Sequence, residues 1–355
     1  MSKNLGQGGF QKAAWMAAVS LWLSACGGGG GEGVFATQTP GECAALQGLA
    51  GPGAGTAAGH AQPQRSDGAV TLSSSGGMVT ARKLVTLVND FGGATQAQVD
   101  LATPNGSVVA CPRSGGGYGF KLMLESRAPT EADARRGLDS ITVNHTDTLA
   151  ANLLRLSTSV QFGSLSSTGG LPVGGSDGSN IQRTAAIVSG LPTSASYAIS
   201  PNGANGAVRV SGLSGSSADL GTSNGPVSLD GRWDTATLNT DNGLLSVSGD
   251  YASLDATTAN GPAEGDLQSS RNLDAAFTAS NGSVDVKLRS ASASAGFDLT
   301  ADTSNGRTEI SVPNTVAVGT QTSTSMHRQT SDYASRAVKA QVSASTSNGN
   351  VSIHD

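Results

Sequence analysis

The side chains that could do chemistry in this chain are its thiols, imidazoles, carboxylates and hydroxyls. The thiols are Cys26, Cys43 and Cys111, and no Cys-x-x-Cys spacing marks a zinc or redox site. The imidazoles are His60, His145, His327 and His354, none at ligand spacing from a second metal-binding residue. Serine is abundant, but there is no G-x-S-x-G elbow, and no His/Asp pair stands out near any Ser. Gly115-Gly116-Gly117 lacks the Lys-Ser/Thr of a phosphate loop and reads as a turn. One cluster could serve hydrolysis or elimination on anionic polysaccharides: Asp230, Asp234, Asp250 and Asp255, with Arg232 nearby. That chemistry needs grouped acids, often with Ca²⁺, and a basic residue on one face. Here the acids fall at corners and outward strand positions, where solvation alone accounts for them. The expectation is a non-enzymatic protein with no catalytic residue, no metal and no cofactor.

Composition agrees. Of 355 residues, 49 are Gly, 13% are charged and 4% are aromatic. A usual globular chain is about 25% charged. Small hydroxylic and glycyl residues bury little apolar area, which argues against one thick core. Net charge is −5, and the cations form no stripe, so nucleic acid is not an expected partner.

Positive charge at Lys3 and Lys12 precedes an uncharged apolar run, Ala13 to Leu23. The run is too short to span a bilayer as a helix and suits the core of a signal peptide. It ends in Leu23-Ser24-Ala25-Cys26, which resembles the lipobox of bacterial lipoproteins. The resemblance implies cleavage after residue 25, lipidation of Cys26 and a membrane partner through that anchor. Gly27 stands where Asp would mark inner-membrane retention, so the resemblance points to the outer membrane. Residues 26–68 are rich in Gly, Ala, Pro and Gln and read as a flexible tether. With Cys26 lipidated, Cys43 and Cys111 remain. They are one disulfide in an oxidising compartment or two free thiols, and the compartment favours the bond.

Residues 69–168 read as a small β-rich, sandwich-like domain. Strand alternation appears over Val70 to Val88 (broken at Gly76-Gly77), Gly106 to Cys111, Gly119 to Leu124, Ile141 to Thr148 and Leu153 to Phe162. One helix is expected from Glu131 to Leu138, capped by Thr130 with Asp133 three residues on. Residues 169–182 read as a linker.

Residues 183–355 repeat. Asn-Gly recurs at Asn205, Asn224, Asn242, Asn260, Asn281, Asn305 and Asn348, with further copies at Asn105 and Asn202. Aligned on the Asn, small or apolar residues recur two and four positions before it and three and five after it. Thr240, Leu238, Leu245 and Val247 are one such set. Asn-Gly is also the strongest hairpin-turn dipeptide, so a meander of hairpins competes with a coil. A meander puts alternate turns at opposite ends, and nothing would then keep one corner chemistry constant. A parallel coil stacks every corner on the last. Asn224, Asn242, Asn260, Asn281, Asn305 and Asn348 are then expected to form a ladder of amide hydrogen bonds, with Asn348 at its open end. Thr315 to Asp332 breaks the pattern and reads as a looped-out or degenerate coil. The flank of Asn105 (Leu101, Thr103, Val108, Ala110) is similar enough for the coil to start there. The fold class is therefore mainly β: a C-terminal parallel β-solenoid preceded by a β-rich domain with one short helix.

The units TSNGPVSLDG, TDNGLLSVSGDY, TANGPAEGDL, TASNGSVDVKL, DTSNGRTEISV and TSNGNVSIHD resemble the repeats of the bacterial DUF4097 adhesin-like family. The resemblance implies an exported β-helix-like domain with no catalytic residue to carry over. Gly265 departs from it, being a poor core residue. The implied role is a lipid-anchored cell-envelope protein, an adhesin or scaffold binding a glycan or an envelope protein. The alternatives are an envelope-stress regulator contacting a membrane partner and, less favoured, an enzyme acting on polysaccharide.

Overall fold

A computed structural model describes Cys43 and residues 62–165, 181–289 and 295–355. The signal peptide, Cys26, His60, most of the tether and most of the 169–182 segment lie outside the described residues. Among the described residues no helix is long and apolar enough to cross a membrane.

The repeat folds as the spacing predicts. Each coil places one strand before the Asn-Gly corner in one sheet and the following strand in a second sheet. β4 (Gln96–Thr103) and β5 (Val108–Arg113) make one coil. Next come β10 (Ser196–Asn205) and the start of β11 (Val208–Asn224). The long strands β11, β12 (Val227–Asn242) and β13 (Leu245–Asn260) each finish one coil and begin the next. β14 (Ala263–Gln268), β15 (Leu273–Asn281) and β16 (Val284–Arg289) continue the stack. All neighbours from β4 to β16 in this series pair in parallel, with Asn opposite Asn.

The inward positions are those the alignment selects. Thr222, Thr240, Thr258, Thr303 and Thr346 are buried two residues before the corner, and Leu220, Leu238, Ala256, Phe277, Ala301 and Ala344 four before. Val227, Leu245, Ala263, Val284 and Val351 are buried three after it. Each inward Val or Leu removed from water contributes about 1.5–3 kcal/mol before entropy is counted. Gly265 has a physical reason. A Cβ there would lie 2.7 Å from Phe277 Cζ, so the ring of one coil occupies the space its neighbour leaves.

Three expectations are corrected. First, the stack does not end at Asn348. The chain makes β17 (Ala295–Asn305) and β18 (Thr308–Ser311), leaves the stack, and returns as β21 (Val338–Asn348) and β22 (Val351–His354). These last strands insert between β15–β16 and β17–β18, parallel to both. Asn305 therefore ends the ladder, and Asn348 is internal. The identical corner chemistry of the two units makes either order compatible with the repeat, so sequence order alone misled. Second, Thr315 to Asp332 is looped out of the stack but is not a degenerate coil, and it carries strands of its own. β19 (Thr315–Ala317) and β20 (Ser325–Thr330) form an antiparallel pair, and β20 runs antiparallel along β17, covering that edge. An uncovered edge is a template for unwanted pairing.

Third, the described residues before and after the segment read as a linker share one sheet. β4 and β5 pair with β10 and β11, and a single apolar core runs from Ala81 to Ile353. β8 (Leu153–Phe162) and β9 (Gln182–Pro192) lie under β4 and β5, parallel to them. The remainder is an antiparallel layer over this pole, not a separate sandwich. β7 (Ile141–Ala150) pairs with β8, β6 (Gly117–Ala128) with β9, and β3 (Met78–Asp90) with β6. β1 (Gln64–Asp67) and β2 (Thr71–Ser75) edge β3. The single α-helix among the described residues, α1 (Glu131–Asp139), starts where expected: Thr130 Oγ1 accepts from Asp133 N at 3.1 Å.

Candidate functional site

The corner line is a continuous polar array among the described residues. Asn224 Nδ2 donates to Asn205 Oδ1 at 2.8 Å, Asn242 to Asn224 at 2.9 Å, and Asn260 to Asn242 at 3.0 Å. Asn281 donates to Asn260 at 2.9 Å, Asn348 to Asn281 at 2.9 Å, and Asn305 to Asn348 at 3.0 Å. The ladder thus includes Asn205 and runs in one direction. Asn105 stacks by its backbone only, its side chain turning to the Arg183 carbonyl at 2.7 Å. Asn202 lies within β10 and bonds Ser200.

A second row lies beneath. At most corners the Gly carbonyl accepts a hydroxyl from the inward Thr of the next coil: Thr240 to Gly225 at 3.0 Å, Thr258 to Gly243 at 3.2 Å, Thr346 to Gly282 at 2.8 Å; above Gly261 the inward residue is Ala279. This explains Thr over Val at a buried position: it satisfies a carbonyl that water cannot reach. Backbone amides run the opposite way, Gly225 N–H to the Asn242 carbonyl at 2.9 Å and Gly243 N–H to Asn260 at 3.0 Å. Coils approach so closely that a Cβ at Gly225, where φ is +145°, would sit 2.3 Å from the Gly206 carbonyl oxygen.

Outside the strands before the corner, polar side chains stand in register. Ser217, Thr235 and Ser253 form one row. Asp219, Thr237 and Asp255 form a second, and Asn239, Thr257 and Thr278 a third. Neighbouring rungs are about 4.8 Å apart. Beside the ladder these rows border a shallow groove lined by Asn239, Asp241, Thr257, Ala259 and Ser280.

The acidic cluster is built into ion pairs and turns. Arg271 reaches Asp234 at 2.6 Å and Asp250 at 3.3 Å, donates to the Trp233 carbonyl, and so ties two coils together. Arg232 lies 3.6 Å from Asp250. Asp230 accepts from Ser248 Oγ at 2.8 Å and Gly212 N at 3.2 Å, while Asp255 bonds Thr257. Asp234 and Asp250 thus share Arg271, whereas Asp230 and Asp255 are bonded to other residues. Among the described residues no group of three His, Cys, Asp or Glu could hold a metal ion. Arg271 escaped the sequence reading, since its partners lie far away in the chain.

The histidines fall in separate places. His327 lies 2.6 Å from Asp298 in the β17–β20 cap, and His354 3.4 Å from Asp285 on the outer face. His145 belongs to a polar knot at the other pole. Its Nδ1 is 2.9 Å from Thr158 Oγ1, and Tyr118 OH bonds Asp147, which also accepts from Asn89 Nδ2 at 2.8 Å. Burial pushes His145 below its usual value, with the Asp147 charge opposing, and burial together with Asp147 pushes Tyr118 well up. The knot joins β3, β6, β7 and β8. Glu264 is raised by burial and by Asp285 beside it.

Cys43 and Cys111 are bonded, with Cα atoms 6.1 Å apart. Cys43 packs on Val109 and Val188, on the outer side of the second sheet.

No protein-family model and no curated protein matches the sequence, so the family resemblance rests on the repeat residues alone. Two solved structures are similar in part. One, from Clostridium sporogenes, is described as a candidate cell adhesion protein. It is 12% identical at a TM-score of 0.30, over 82% of this chain and 99% of that one. The other, from Bacteroides fragilis, is described as a candidate adhesin. It is 12% identical at a TM-score of 0.31, over 76% of this chain and 96% of that one.

Proposed function

We propose that the chain is a non-enzymatic, lipid-anchored protein of the bacterial cell envelope, an adhesin or scaffold whose solenoid face binds an extended glycan. One observation carries this reading: the outward rows Ser217–Thr235–Ser253 and Asn239–Thr257–Thr278 beside the ladder. Rigidly spaced hydroxyl and amide groups offer repeated hydrogen bonds to a polymer lying along them, and prior ordering lowers the entropic cost of binding. The DUF4097 resemblance of the repeats and the lipobox-like Leu23-Ser24-Ala25-Cys26 add to the reading, and outer-membrane anchoring through Cys26 is part of it.

Binding of the folded protein to purified envelope polysaccharides tests the face. The paired variant Thr237→Lys/Ser253→Lys is expected to lose binding, while Ser228→Lys/Ser246→Lys on the other sheet keeps it. Equal binding by both variants would refute the assignment. Fatty-acid labelling that persists in Cys26→Ala would refute the anchor.

A further inference from the structure

We propose that Asn305-Gly306 is a site of self-modification, at which the chain converts Asn305 to aspartate and β-linked isoaspartate, and that conversion then advances inward along the ladder to Asn348. In the reaction the Gly backbone nitrogen loses its proton and attacks the Asn side-chain Cγ. The new N–C bond closes a five-membered imide, and the side-chain nitrogen leaves as ammonia. Water then opens the imide at either carbonyl, which restores a carboxylate. No oxidant or cofactor is involved. Two things must be free: the Gly N–H, which must deprotonate, and the Asn amide, which must swing over the backbone.

Inner corners deny both. The N–H of Gly225, Gly243, Gly261 and Gly282 each donates to the Asn carbonyl of the next coil at 2.9–3.0 Å. The amides of Asn242 and Asn260 are held from both sides. Each bond helps to hold the unreactive geometry.

The last corner denies neither fully. Gly306 N–H makes no hydrogen bond to any described residue, because no further Asn-Gly corner stacks on it. Asn305 Oδ1 accepts no ladder amide, and Asn305 is tethered on one side only, to Asn348 Oδ1 at 3.0 Å and the Ser347 carbonyl at 3.4 Å. Gly306 is exposed, whereas Gly225, Gly243, Gly261, Gly282 and Gly349 are half-buried. β20 pairs with Asp298 to Asp302 of β17, and the chain before it bonds both flanks of the corner, the Thr324 carbonyl accepting from Thr303 N at 2.8 Å and the Ser323 carbonyl from Thr308 N at 2.9 Å, but neither carbonyl takes the Gly306 N–H. Advance follows from the bond that comes next. Gly349 N–H donates to the Asn305 carbonyl at 3.0 Å, and isoaspartate adds a methylene to the main chain there. Losing that bond leaves Asn348-Gly349 in the state Asn305-Gly306 had.

The test is to hold the folded protein at mildly alkaline pH and follow deamidation of each Asn-Gly peptide by mass spectrometry, with a urea-unfolded sample beside it. In the folded protein Asn305 is expected to convert about tenfold or more faster than Asn242 and Asn260, as the absence of two hydrogen bonds that inner corners keep implies. Asn348 follows after a lag, and in urea the corners react at similar rates. Asn305→Gln, which keeps an amide but closes the ring far more slowly, is expected to delay Asn348. Equal folded-state rates at Asn305, Asn242 and Asn260 would overturn the site. An unchanged Asn348 rate in Asn305→Gln would overturn the advance.

Discussion

An interior ladder asparagine gives one ladder hydrogen bond and receives another; Asn305, at its end of the ladder, only gives. Asn260→Ala is therefore expected to cost about 1–2 kcal/mol and Asn305→Ala about half that, read as the shift in urea midpoint. Asn348→Ala should follow Asn260, because it lies between Asn281 and Asn305. Equal losses at Asn260 and Asn305 would mean that the rungs add nothing to one another. Gly265→Ala should cost about 1–3 kcal/mol by crowding Phe277, and much of that should return in Gly265→Ala/Phe277→Leu. At this scale the sequence was legible wherever a residue type recurs with the coil. Thr240 and Asn242 could be assigned inward and corner positions without coordinates. The second bend was not legible. It uses Gly231 and Gly249, but Leu213 and Leu267 stand at the same register in adjoining coils, so no dipeptide repeats. Arg271 was hidden for another reason: Asp234 lies 37 residues away and is brought near only by stacking.

Strands without a repeat must be fixed by partners, and this divides the elements. Helix α1 was legible because Thr130 and Asp133 act within one turn. The β20 cap was not, since Met326 and His327 become strand only by lying against Ala301 and Thr300. The pole built from β3, β6, β7 and β8 has a pH signature. Burial lowers His145 in the folded state, while the unfolded chain takes up its proton near 6.5, so the unfolded state binds more protons as pH falls. Stability is expected to drop below about pH 6.5, and His145→Gln should flatten that limb of the urea midpoint between pH 7.5 and 5.5. The Cys43–Cys111 bond closes a sequence separation of 68, for which chain entropy gives about 4 kcal/mol. Reductant should lower Tm in the native chain and leave a Cys43→Ser/Cys111→Ser variant unmoved.

At the scale of the molecule, stability in a stack is the sum of coils and the interfaces between them. The return of β21 and β22 into the stack makes that sum unusual. Removing residues 338–355 takes away an interior coil, so β17 and β18 lose their parallel partners as well. Hydrogen exchange is expected to speed up across 295–311 in such a truncation while β11 to β13 stay protected; protection retained at β17 would mean that it restacks directly on β15. The mainly β, coiled architecture was legible from the corners, but the order of the last coils was not, because Asn305 and Asn348 carry the same flanks and only pairing distinguishes them. The insertion also sets a timetable. In a chain delivered N-terminus first, coils up to β16 can zip together as they emerge, but the segment holding β17 has no permanent seat until β21 and β22 arrive. Completion of the stack thus acts as a check on delivery: a molecule stalled partway keeps an open pole, and only one that has arrived whole can close it.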